Sequence, residues 1–513
     1  MLTYDLQRDS TVPLYEQLYR LLRQDIEQGH LRPWAKLPPK REFARHLGVS
    51  VITVEGAYRQ LVAEGYAYAQ ERRGHFVASL ALPSDQERQL RRLGLHPTEP
   101  PAGEMSLREV LPEQAGRAQE GQGEPEPLEK LGVEPALQGV FPYKTWARAT
   151  RQVLAEESEA SLQRAASPMG ALRLRRALAA YLRASRGIEV EPDQIVVGAG
   201  AQTLYSFVVQ GLGRQRTFAI ENPGYPRLAQ VYRSNDVGLM AVPLDRDGMR
   251  MTFSGSNAVS VVHCMPSHQL PTGTVMTARR RRELLGWLED HPDRFLIEDD
   301  YDCEFRMTGR PIPAMQSLDR TGRVIYLNTF TKSLGPTFRI GYMVLSPELA
   351  AVFRERLGFY ACTVGVLDQL TLARLMETGE YERHVNRQRT RYRRDQDSLL
   401  AALRDVDGAE RLAVRRAGAG LHFLLEVDSA EPLWPEEATR REHAIAEAAA
   451  SRGVHLVPLG GYDTERAAGL VPSQVSGAFS VKPRPATMVV SLPSLPEGNP
   501  ATTAEALVRA CLD

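Results

Sequence analysis

The chain contains few cysteines and few lysines, and both scarcities narrow what it can be. Its four cysteines are scattered, with no Cys-x-x-Cys pair and no metal-ligand spacing. This pattern excludes a disulfide-built scaffold, gives no reason to expect a metal site, and predicts reduced, mostly buried thiols. Lysine is scarce enough that a reactive amine has few candidates. The six lysines are Lys36, Lys40, Lys130, Lys144, Lys332 and Lys482.

Net charge and long apolar runs are also lacking. The formal net charge is zero and the pI is near 7.2, so no global field draws the chain to nucleic acid, and DNA binding would need a local basic patch. No apolar run reaches membrane length, and residues 1–8 do not form a signal peptide, so we expect a cytoplasmic protein. At 513 residues the chain is too long for one ordinary core, which predicts at least two domains.

Residues 11–78 have the pattern of a small helical domain that ends in a hairpin. Apolar residues at helical spacing predict a first helix from Leu14 to about Gly29 and a second over 41–47, closing at Gly48. Ser50 is a good N-cap for a third helix. The alternation after Gly65 and the turn at 72–74 predict a two-stranded hairpin.

Beyond this domain the composition changes twice. Pro, Glu, Gln, Gly and Arg dominate from 80 to 138, with at most one short helix around 85–93, and such a stretch cannot bury enough apolar surface to fold alone. From 139 onward, short apolar runs alternate with helical stretches, which predicts an α/β domain with a mainly parallel sheet. The expected organisation is a domain over 1–79, a flexible linker over 80–138 and a second domain over 139–513.

The predicted elements of the second domain fall into two parts. The expected sheet strands begin near residues 194, 217, 258, 294, 324 and 340. A long helical region over 350–403 follows, and it leads into a smaller α+β part with strands near 421–427 and 487–492. No internal repeat is present.

Polar residues follow several of the predicted strands, where ligands of open α/β sheets collect. Gly198-Ala-Gly-Ala-Gln202 opens a helix whose N–H groups suit a phosphate, although it lacks the third glycine and the downstream acid of a dinucleotide fingerprint. The alternative there is an ordinary tight strand-to-helix turn. Tyr225 could stack on a flat ring or simply be a rim tyrosine. The acidic run 298–304 could pair with a protonated pyridine nitrogen, form a solvated loop or bind a metal.

Lys332 is the candidate reactive amine. It follows an apolar run, lies beside the hydroxyls of Thr329 and Thr331, and has Arg339 seven residues on. An isolated lysine is usually a solvated surface residue. A Schiff-base lysine, however, needs a rigid strand end, and a phosphate-bearing cofactor needs hydroxyls and an arginine beside it.

With these motifs in place, the second domain resembles the fold-type-I aminotransferases, and the whole chain resembles the MocR/GabR branch of the GntR-type transcriptional regulators. The resemblance implies a multidomain protein: an N-terminal winged helix-turn-helix, helical with a small β wing, followed by an α/β aminotransferase-like domain with a smaller α+β C-terminal part. It further implies that Lys332 forms a Schiff base with pyridoxal 5'-phosphate (PLP).

The resemblance also assigns roles around that lysine. Asp299 would bind the pyridine nitrogen and Tyr301 the ring hydroxyl, with Tyr225 stacking on the ring. His268 and Gln269 lie in Pro266-Ser-His-Gln-Leu-Pro-Thr-Gly273, where aminotransferases have an asparagine just before Pro-Thr-Gly, here Leu270. The residues that would hold the phosphate are Ala201, Gln202, Thr329, Thr331 and Arg339.

Two departures from the aminotransferase pattern concern the substrate. The arginine that usually forks onto a substrate carboxylate aligns with Val489, which removes the strongest recognition element for an amino-acid effector. A tyrosine usual before the helix-opening glycine is replaced within 165–170. Arg227 is the candidate effector-binding residue in its place, with Arg484 as a further possibility.

The N-terminal segment 37–50 and the wing 72–77 resemble the GntR winged helix. The resemblance implies phosphate contacts from Lys40 and Arg41 at a helix start and from two arginines at the wing tip. It implies base reading by the helix Ser50–Ala63, with Ser50 and Thr53 as DNA-binding residues and Thr53 reaching a phosphate or base. Val51 stands where the family has an arginine and offers apolar contact alone. The wing-tip arginines are Arg72 and Arg73. The alternative is a small helical interaction domain with a basic rim.

Three functions follow from this combination. The leading one is a PLP-dependent regulator that binds double-stranded operator DNA as a homodimer and senses an amino compound, with at most a partial transamination half-reaction and no sustained turnover. The second is a genuine aminotransferase with an appended interaction domain. The third is a regulator whose effector is PLP itself.

Overall fold

The computed structural model describes residues 4, 6–7, 12–70, 74–78, 141–163, 166–254, 258–306, 313–418, 420–428, 431, 433–470, 483–496 and 498–512. The predicted linker and its short helix over 85–93 lie outside these residues, as do Arg72 and Arg73. No helix in these ranges is both long enough and apolar enough to cross a membrane.

The N-terminal domain has the predicted three helices and hairpin. Ser50 caps the third helix, because its Oγ accepts a hydrogen bond from the N–H of Thr53 at 3.0 Å. Gly48 ends the second helix with a φ of 64°, a left-handed conformation that favours glycine. The elements are α1 (Leu14–Glu27), α2 (Lys40–Leu47), α3 (Val51–Ala63), β1 (Ala67–Gln70) and β2 (Gly74–Val77).

The large domain is built on an eight-stranded mixed sheet in the order β3-β10-β9-β8-β7-β4-β5-β6. Its strands are β3 (Ile195–Gly198), β4 (Thr217–Asn222), β5 (Gly238–Asp245), β6 (Gly248–Met249), β7 (Val261–Cys264), β8 (Phe295–Asp299), β9 (Val324–Thr329) and β10 (Gly341–Val344). The run β5-β4-β7-β8-β9 is parallel, while β6 and β10 are antiparallel to their neighbours. The mainly parallel sheet is thus confirmed, although β5 and β6 were not predicted.

Helices cover both faces of this sheet, as parallel strands require. The predicted helical region over 350–403 is confirmed, and it consists of three helices separated by the turns at 358–365 and 378–379. The helices of the large domain and its continuation are α4 (Tyr143–Glu156), α5 (Glu159–Gln163), α6 (Leu172–Arg186), α7 (Ala201–Leu212), α8 (Pro226–Ser234), α9 (Ala278–Glu289), α10 (Thr331–Leu334), α11 (Pro347–Leu357), α12 (Val366–Glu377) and α13 (Glu380–Arg404).

The C-terminal part is a smaller α+β unit with its own core. Its antiparallel sheet has the order β11-β12-β14-β13, and the two predicted strands correspond to β12 and β14. The elements are β11 (Leu412–Arg415), β12 (His422–Val427), α14 (Pro435–Ser451), β13 (Val457–Pro458), α15 (Thr464–Ala468), β14 (Ala486–Ser491) and α16 (Pro500–Leu512).

The sheet topology brings distant residues to one edge. Strands β4, β7, β8 and β9 run parallel, and β3 runs in the same direction because the antiparallel β10 separates it from β9. The carboxyl ends of all five strands therefore open on the same side. This edge, where each strand hands over to a loop or a helix, is where an open α/β sheet binds its ligand.

Candidate functional site

Lys332 lies at this edge, on the short helix α10 that follows β9. The helix is held from two sides: the N–H of Phe330 donates to the carbonyl of Ile340 at 3.0 Å, and His384 lies 2.8 Å from the carbonyl of Ser333. Thr329 is buried at the end of β9, and Thr331 begins the helix. The lysine therefore lies on a short helix that is fixed by hydrogen bonds directly after a buried strand, the kind of support that a Schiff-base lysine needs.

A second group of predicted residues lies at the N-terminus of α7. Ala201 and Gln202 are its first two residues, and Gly200 before them has a φ of 80°. A Cβ placed on Gly200 would lie 3.0 Å from Nη2 of Arg339, so this guanidinium lies against the helix N-terminus. Unpaired backbone N–H groups beside an arginine form an anion-binding position.

Asp299 ends β8 and is almost fully buried. Its Oδ2 accepts a short hydrogen bond from the hydroxyl of Tyr205 on α7 and lies 3.3 Å from Nε2 of His263 on β7. His263 in turn lies 2.7 Å from the hydroxyl of Tyr232. Both contacts end on Oδ2, which leaves Oδ1 outside them. A buried carboxylate held in this way could pair with a cationic ring nitrogen.

The neighbouring Asp300 has a different, structural role. Its Oδ2 lies 2.7 Å from Nη2 of Arg186 and accepts a hydrogen bond from the hydroxyl of Tyr326 at 2.7 Å. The Arg186 and Asp300 side chains are both buried. Burial acts to lower the pKa of Arg186, but the surrounding groups, with the Asp300 carboxylate foremost, outweigh it and raise that pKa. Asp300 therefore neutralises an arginine below the sheet edge.

Gln269 organises the loop between β7 and α9. Its amide nitrogen donates to the carbonyl of Pro223 at 2.9 Å and to Oε2 of Glu221 at 3.3 Å. Its amide oxygen accepts from the N–H of Thr272 at 3.0 Å. Burial raises the pKa of Glu221 to about 8, with a further contribution from Asp299. This carboxyl is therefore a buried group that titrates near neutral pH.

Three buried side chains from different parts of the fold meet beside the lysine. His268 Nδ1 lies 2.7 Å from Oδ2 of Asp302 and 3.2 Å from the hydroxyl of Tyr301, and its ring centroid is 4.4 Å from that of His422 on β12. Burial, then His268 and Lys332, lower the pKa of His422 well below its usual value. The C-terminal unit thus reaches the lysine site through His422.

The chemistry of this cluster favours a histidine–carboxylate pair over a metal site. One possible ligand atom from each of His268, Asp302 and His422 lies within 4.8 Å of the others. However, the hydrogen bond to Asp302 occupies the Nδ1 side of His268. Its Nε2, which has no hydrogen-bond partner among the described residues, lies on the opposite side of the ring. His268 and Asp302 therefore form a hydrogen-bonded pair through Nδ1.

The remaining predicted residues have distinct surroundings. Val489 lies in β14, buried with Leu424 and Leu459. Arg484 pairs with the fully buried Glu442, which engages it inside the C-terminal unit. Arg227 lies in the first turn of α8, two residues after the predicted ring-stacking tyrosine, Tyr225, which caps that helix.

The predicted DNA-reading surface is partly exposed. Val51 and Ile52 are 41% and 79% exposed, so the first turn of α3 is open to a partner. Thr53 shares a hydrogen bond with the hydroxyl of Ser50 at 2.8 Å. Arg41 is exposed, whereas Lys40 lies 3.0 Å from Oε1 of Glu55 and would have to leave it to contact a phosphate.

Four residues of the site were not predicted from the sequence, whereas Asp302 belongs to the acidic run 298–304 that the sequence singles out. Tyr205 could have been found, because it lies one helical turn after Ala201 and shares its face. For the others no spacing signal existed, since they come from separate strands. They are Glu221 on β4, His263 on β7 and His422 on β12. The buried Arg186, which pairs with Asp300, was not predicted either.

The fold and these two surfaces define a class: a winged-helix DNA-binding domain joined to an aminotransferase-like domain. Residues 14–77 match the bacterial regulatory proteins of the gntR family, and residues 132–468 match aminotransferase class I and II. Among solved structures, the chain is similar to a Pyrococcus horikoshii kynurenine aminotransferase, with 24% identity and a TM-score of 0.59 over 74% of this chain and 90% of that one. LysN of Thermus thermophilus, an alpha-aminoadipate aminotransferase, has 22% identity and a TM-score of 0.60 over 74% and 91%.

Three relatives are similar to this chain over most of its length and most of their own. The HTH-type transcriptional regulator YhdI of Bacillus subtilis is 35% identical over 88% of this chain and 90% of its own length. The probable rhizopine catabolism regulatory protein MocR of Rhizobium meliloti is 34% identical over 88% of each. The pyridoxine biosynthesis regulator PdxR of Corynebacterium glutamicum is 29% identical over 87% and 88%. This chain belongs to the MocR/GabR subfamily of GntR-type transcriptional regulators.

Proposed function

We propose that Lys332 of this regulator binds PLP covalently, and that occupancy of the site controls how the winged helix engages DNA. The observation that carries the proposal is the setting of Asp299. Its buried carboxylate is fixed through one oxygen by Tyr205 and His263, at the same sheet edge as the lysine. That arrangement suits a ligand with a cationic ring nitrogen.

The residues around the lysine fit the chemistry of PLP. The N-terminus of α7 and the adjacent Arg339 would hold the phosphate, together with Thr329 and Thr331. Tyr301 would donate to the ring hydroxyl, and Tyr225 would stack on the ring. His268 would support Tyr301, since it lies 3.2 Å from that hydroxyl. When bound, PLP supplies an electron-withdrawing ring; the protein supplies the position and the charges.

Two effector classes remain in this proposal. An amino compound would react at the lysine site, with Arg227 as the candidate residue for its anionic group. PLP itself would serve as the effector if no amino compound binds. The buried, apolar surroundings of Val489 favour the second class, because they offer no charge for a carboxylate. A relative named for pyridoxine biosynthesis regulation is consistent with it.

The proposed organisation is a homodimer formed by the domains over 139–513. Each winged helix, over 1–79, would be tethered by residues 80–138, so that two DNA half-sites are bound together. A dimer gains affinity from the tethered second contact without new interactions. An amino-compound effector would undergo at most one transamination half-reaction, because Val489 replaces the arginine that usually orients a substrate carboxylate.

Covalent attachment at Lys332 is tested by reductive trapping. The full-length protein is mixed with PLP, reduced with borohydride, digested and sequenced by mass spectrometry. The expected result is a pyridoxyl group on the peptide that contains Lys332 and a visible absorption band that disappears on reduction. Lys144→Ala, which removes an exposed lysine in the first turn of helix α4, is the matched control and should label normally.

Lys332→Ala should lose both the band and the label. Labelling that persists in this variant would refute the assignment. Sustained exchange between amino acids and a keto acid would instead favour the aminotransferase function, whereas a single half-reaction or none would support the regulator.

A further inference from the structure

The C-terminal end of the DNA-reading helix touches the large domain through two residues. The carbonyl of Glu64, just after α3, accepts a hydrogen bond from the N–H of Ala278 at 2.9 Å. Ala278 is the first residue of α9, so its N–H has no acceptor inside that helix. Gly65 has a φ of 73°, and a Cβ placed on it would lie 2.8 Å from Cβ of Thr277. The two domains therefore meet backbone to backbone, at a position that has no room for a side chain.

A buried carboxyl group lies beside this contact. Glu64 is 2% exposed, and its Oε2 accepts a hydrogen bond from the hydroxyl of Tyr19 at 2.5 Å, while Gln60 donates to Oε1. Burial raises the pKa of Glu64, and the guanidinium groups of Arg306 and Arg281 in the large domain oppose that shift. Charges from one domain thus act on a buried group of the other.

On the side of the large domain, Thr277 and Ala278 directly follow the loop 266–276, which lies beside Lys332. The N–H of Met276 donates to the carbonyl of Pro266 at 2.9 Å, which closes the loop 266–276. Arg281, one turn into α9, donates to the same Pro266 carbonyl at 2.8 Å and to that of Met276 at 3.1 Å. This loop carries His268 and Gln269. The residues beside Lys332 and the residues against Glu64 therefore belong to one hydrogen-bonded segment.

We propose that the Glu64–Gly65 turn docks the winged helix on Thr277–Ala278, and that the segment 266–281 transmits occupancy of the Lys332 site to α3 through this contact. Docking uses the C-terminal end of α3, so its exposed first turn stays available to DNA. A ligand beside Lys332 that shifts the loop 266–276 would shift the first turn of α9, and with it the support of the DNA-reading helix. The transmission step rests on the proposed PLP site; the docking step does not.

Hydrogen exchange at the Ala278 amide tests the docking step directly, because its acceptor lies in the other domain. Gly65→Ala in the full-length protein places a methyl group against Thr277. Gly29→Ala is the matched control: Gly29 also has a left-handed φ, 78°, but a Cβ there meets nothing within 4 Å. We expect exchange at Ala278 to rise at least about tenfold in Gly65→Ala and to stay near the wild-type rate in Gly29→Ala.

A second substitution separates docking from misfolding. Thr277→Gly removes the Cβ that Gly65→Ala would strike, so the double variant should recover slow exchange at Ala278. Equal exchange in the wild type, Gly65→Ala and Gly29→Ala would overturn the docking step. Fast exchange in the double variant, as in Gly65→Ala alone, would show that the change in Gly65→Ala is local strain, and would also overturn it.

The transmission step is tested by thermodynamic linkage. The affinity for PLP is measured by absorbance with and without a duplex that carries the DNA adjoining this gene, and the ratio of the two dissociation constants is the coupling. The wild type and Gly29→Ala should share one ratio different from one. Gly65→Ala should bring the ratio to within about twofold of one. A ratio of one in the wild type, or an unchanged ratio in Gly65→Ala, overturns transmission; failure of every variant to bind PLP refutes the proposed function and leaves the docking result standing.

Discussion

The winged helix and the sheet edge that carries Lys332 use charged residues in opposite ways. On the winged helix Arg41 is exposed, and so are Val51 and Ile52 in the first turn of α3. At the sheet edge the carboxylates of Asp299 and Asp300 are buried, and their partners come from other helices and strands. Removing a surface charge costs little in folding, whereas removing a buried partner leaves an uncompensated charge. Variants should therefore separate into two classes.

The largest expected effect is on stability, at Asp300. Asp300→Ala would leave the buried guanidinium of Arg186 without its 2.7 Å partner. Breaking a buried ion pair by removing one member costs about 3–5 kcal/mol. We expect a large fall in the free energy of unfolding, measured by urea denaturation. The double variant Arg186→Met with Asp300→Ala should recover part of the loss, because no isolated charge then remains buried. A smaller fall in the free energy of unfolding for Asp300→Ala than for Asp299→Ala would contradict the different roles of the two carboxylates.

Asp299→Ala should lower the affinity for the ligand more than it lowers the stability of the fold. A carboxylate paired with a cationic ring nitrogen contributes roughly 1.5–3 kcal/mol, so the affinity for PLP should fall about tenfold to a hundredfold. Titration followed by absorbance measures this affinity, with Asp299→Asn as the variant that keeps the shape. Unchanged affinity in both variants would place the ring nitrogen elsewhere.

The contrast between the two regions also explains what could be predicted from the sequence. The helices of the winged domain follow from caps and apolar spacing within about fifty residues, and Ser50 and Gly48 act where the pattern puts them. At the sheet edge, Lys332 and the acidic run were identifiable because each follows a buried strand. Their partners were not, since His422 meets His268 only through the way the C-terminal unit packs.

The strand β5 was missed in the sequence for a related reason. β5 contains a glycine, a proline and an aspartate, residues that are depleted in strands, and it is held in the sheet by parallel pairing with β4 along its length. Tertiary pairing outweighed local preference there. The position of Arg484 likewise depends on the buried Glu442, whose location sequence alone does not give.

The buried carboxyl of Glu221 at the sheet edge should make the stability of the protein depend on pH, an effect of intermediate size. Its pKa is raised from 4.5 to about 8 in the folded protein, so the neutral acid is favoured on folding. This contribution to stability is fully present below pH 4.5 and is lost as the pH rises through 8. Glu221→Gln cannot titrate, so its Tm relative to the wild type should increase steadily from about pH 5 to about pH 8.5. A constant difference across that range would mean that Glu221 is ionised throughout.

The smallest expected effect is at the DNA surface, where charge acts through solvent. Arg41→Ala should leave the unfolding free energy within about 0.5 kcal/mol of the wild type, since the side chain is exposed. If Arg41 contacts a phosphate, its removal should lower affinity for all duplex sequences alike and reduce the slope of log affinity against log salt by roughly 0.9. Fluorescence anisotropy at several salt concentrations measures this slope. Val51→Ala is the matched comparison on the same surface: it should leave the slope unchanged and alter which sequence is preferred, because an apolar side chain contacts bases and releases no counterion. The roles of these two residues would be contradicted if the salt slope of Arg41→Ala equalled that of the wild type, or if the salt slope of Val51→Ala were reduced.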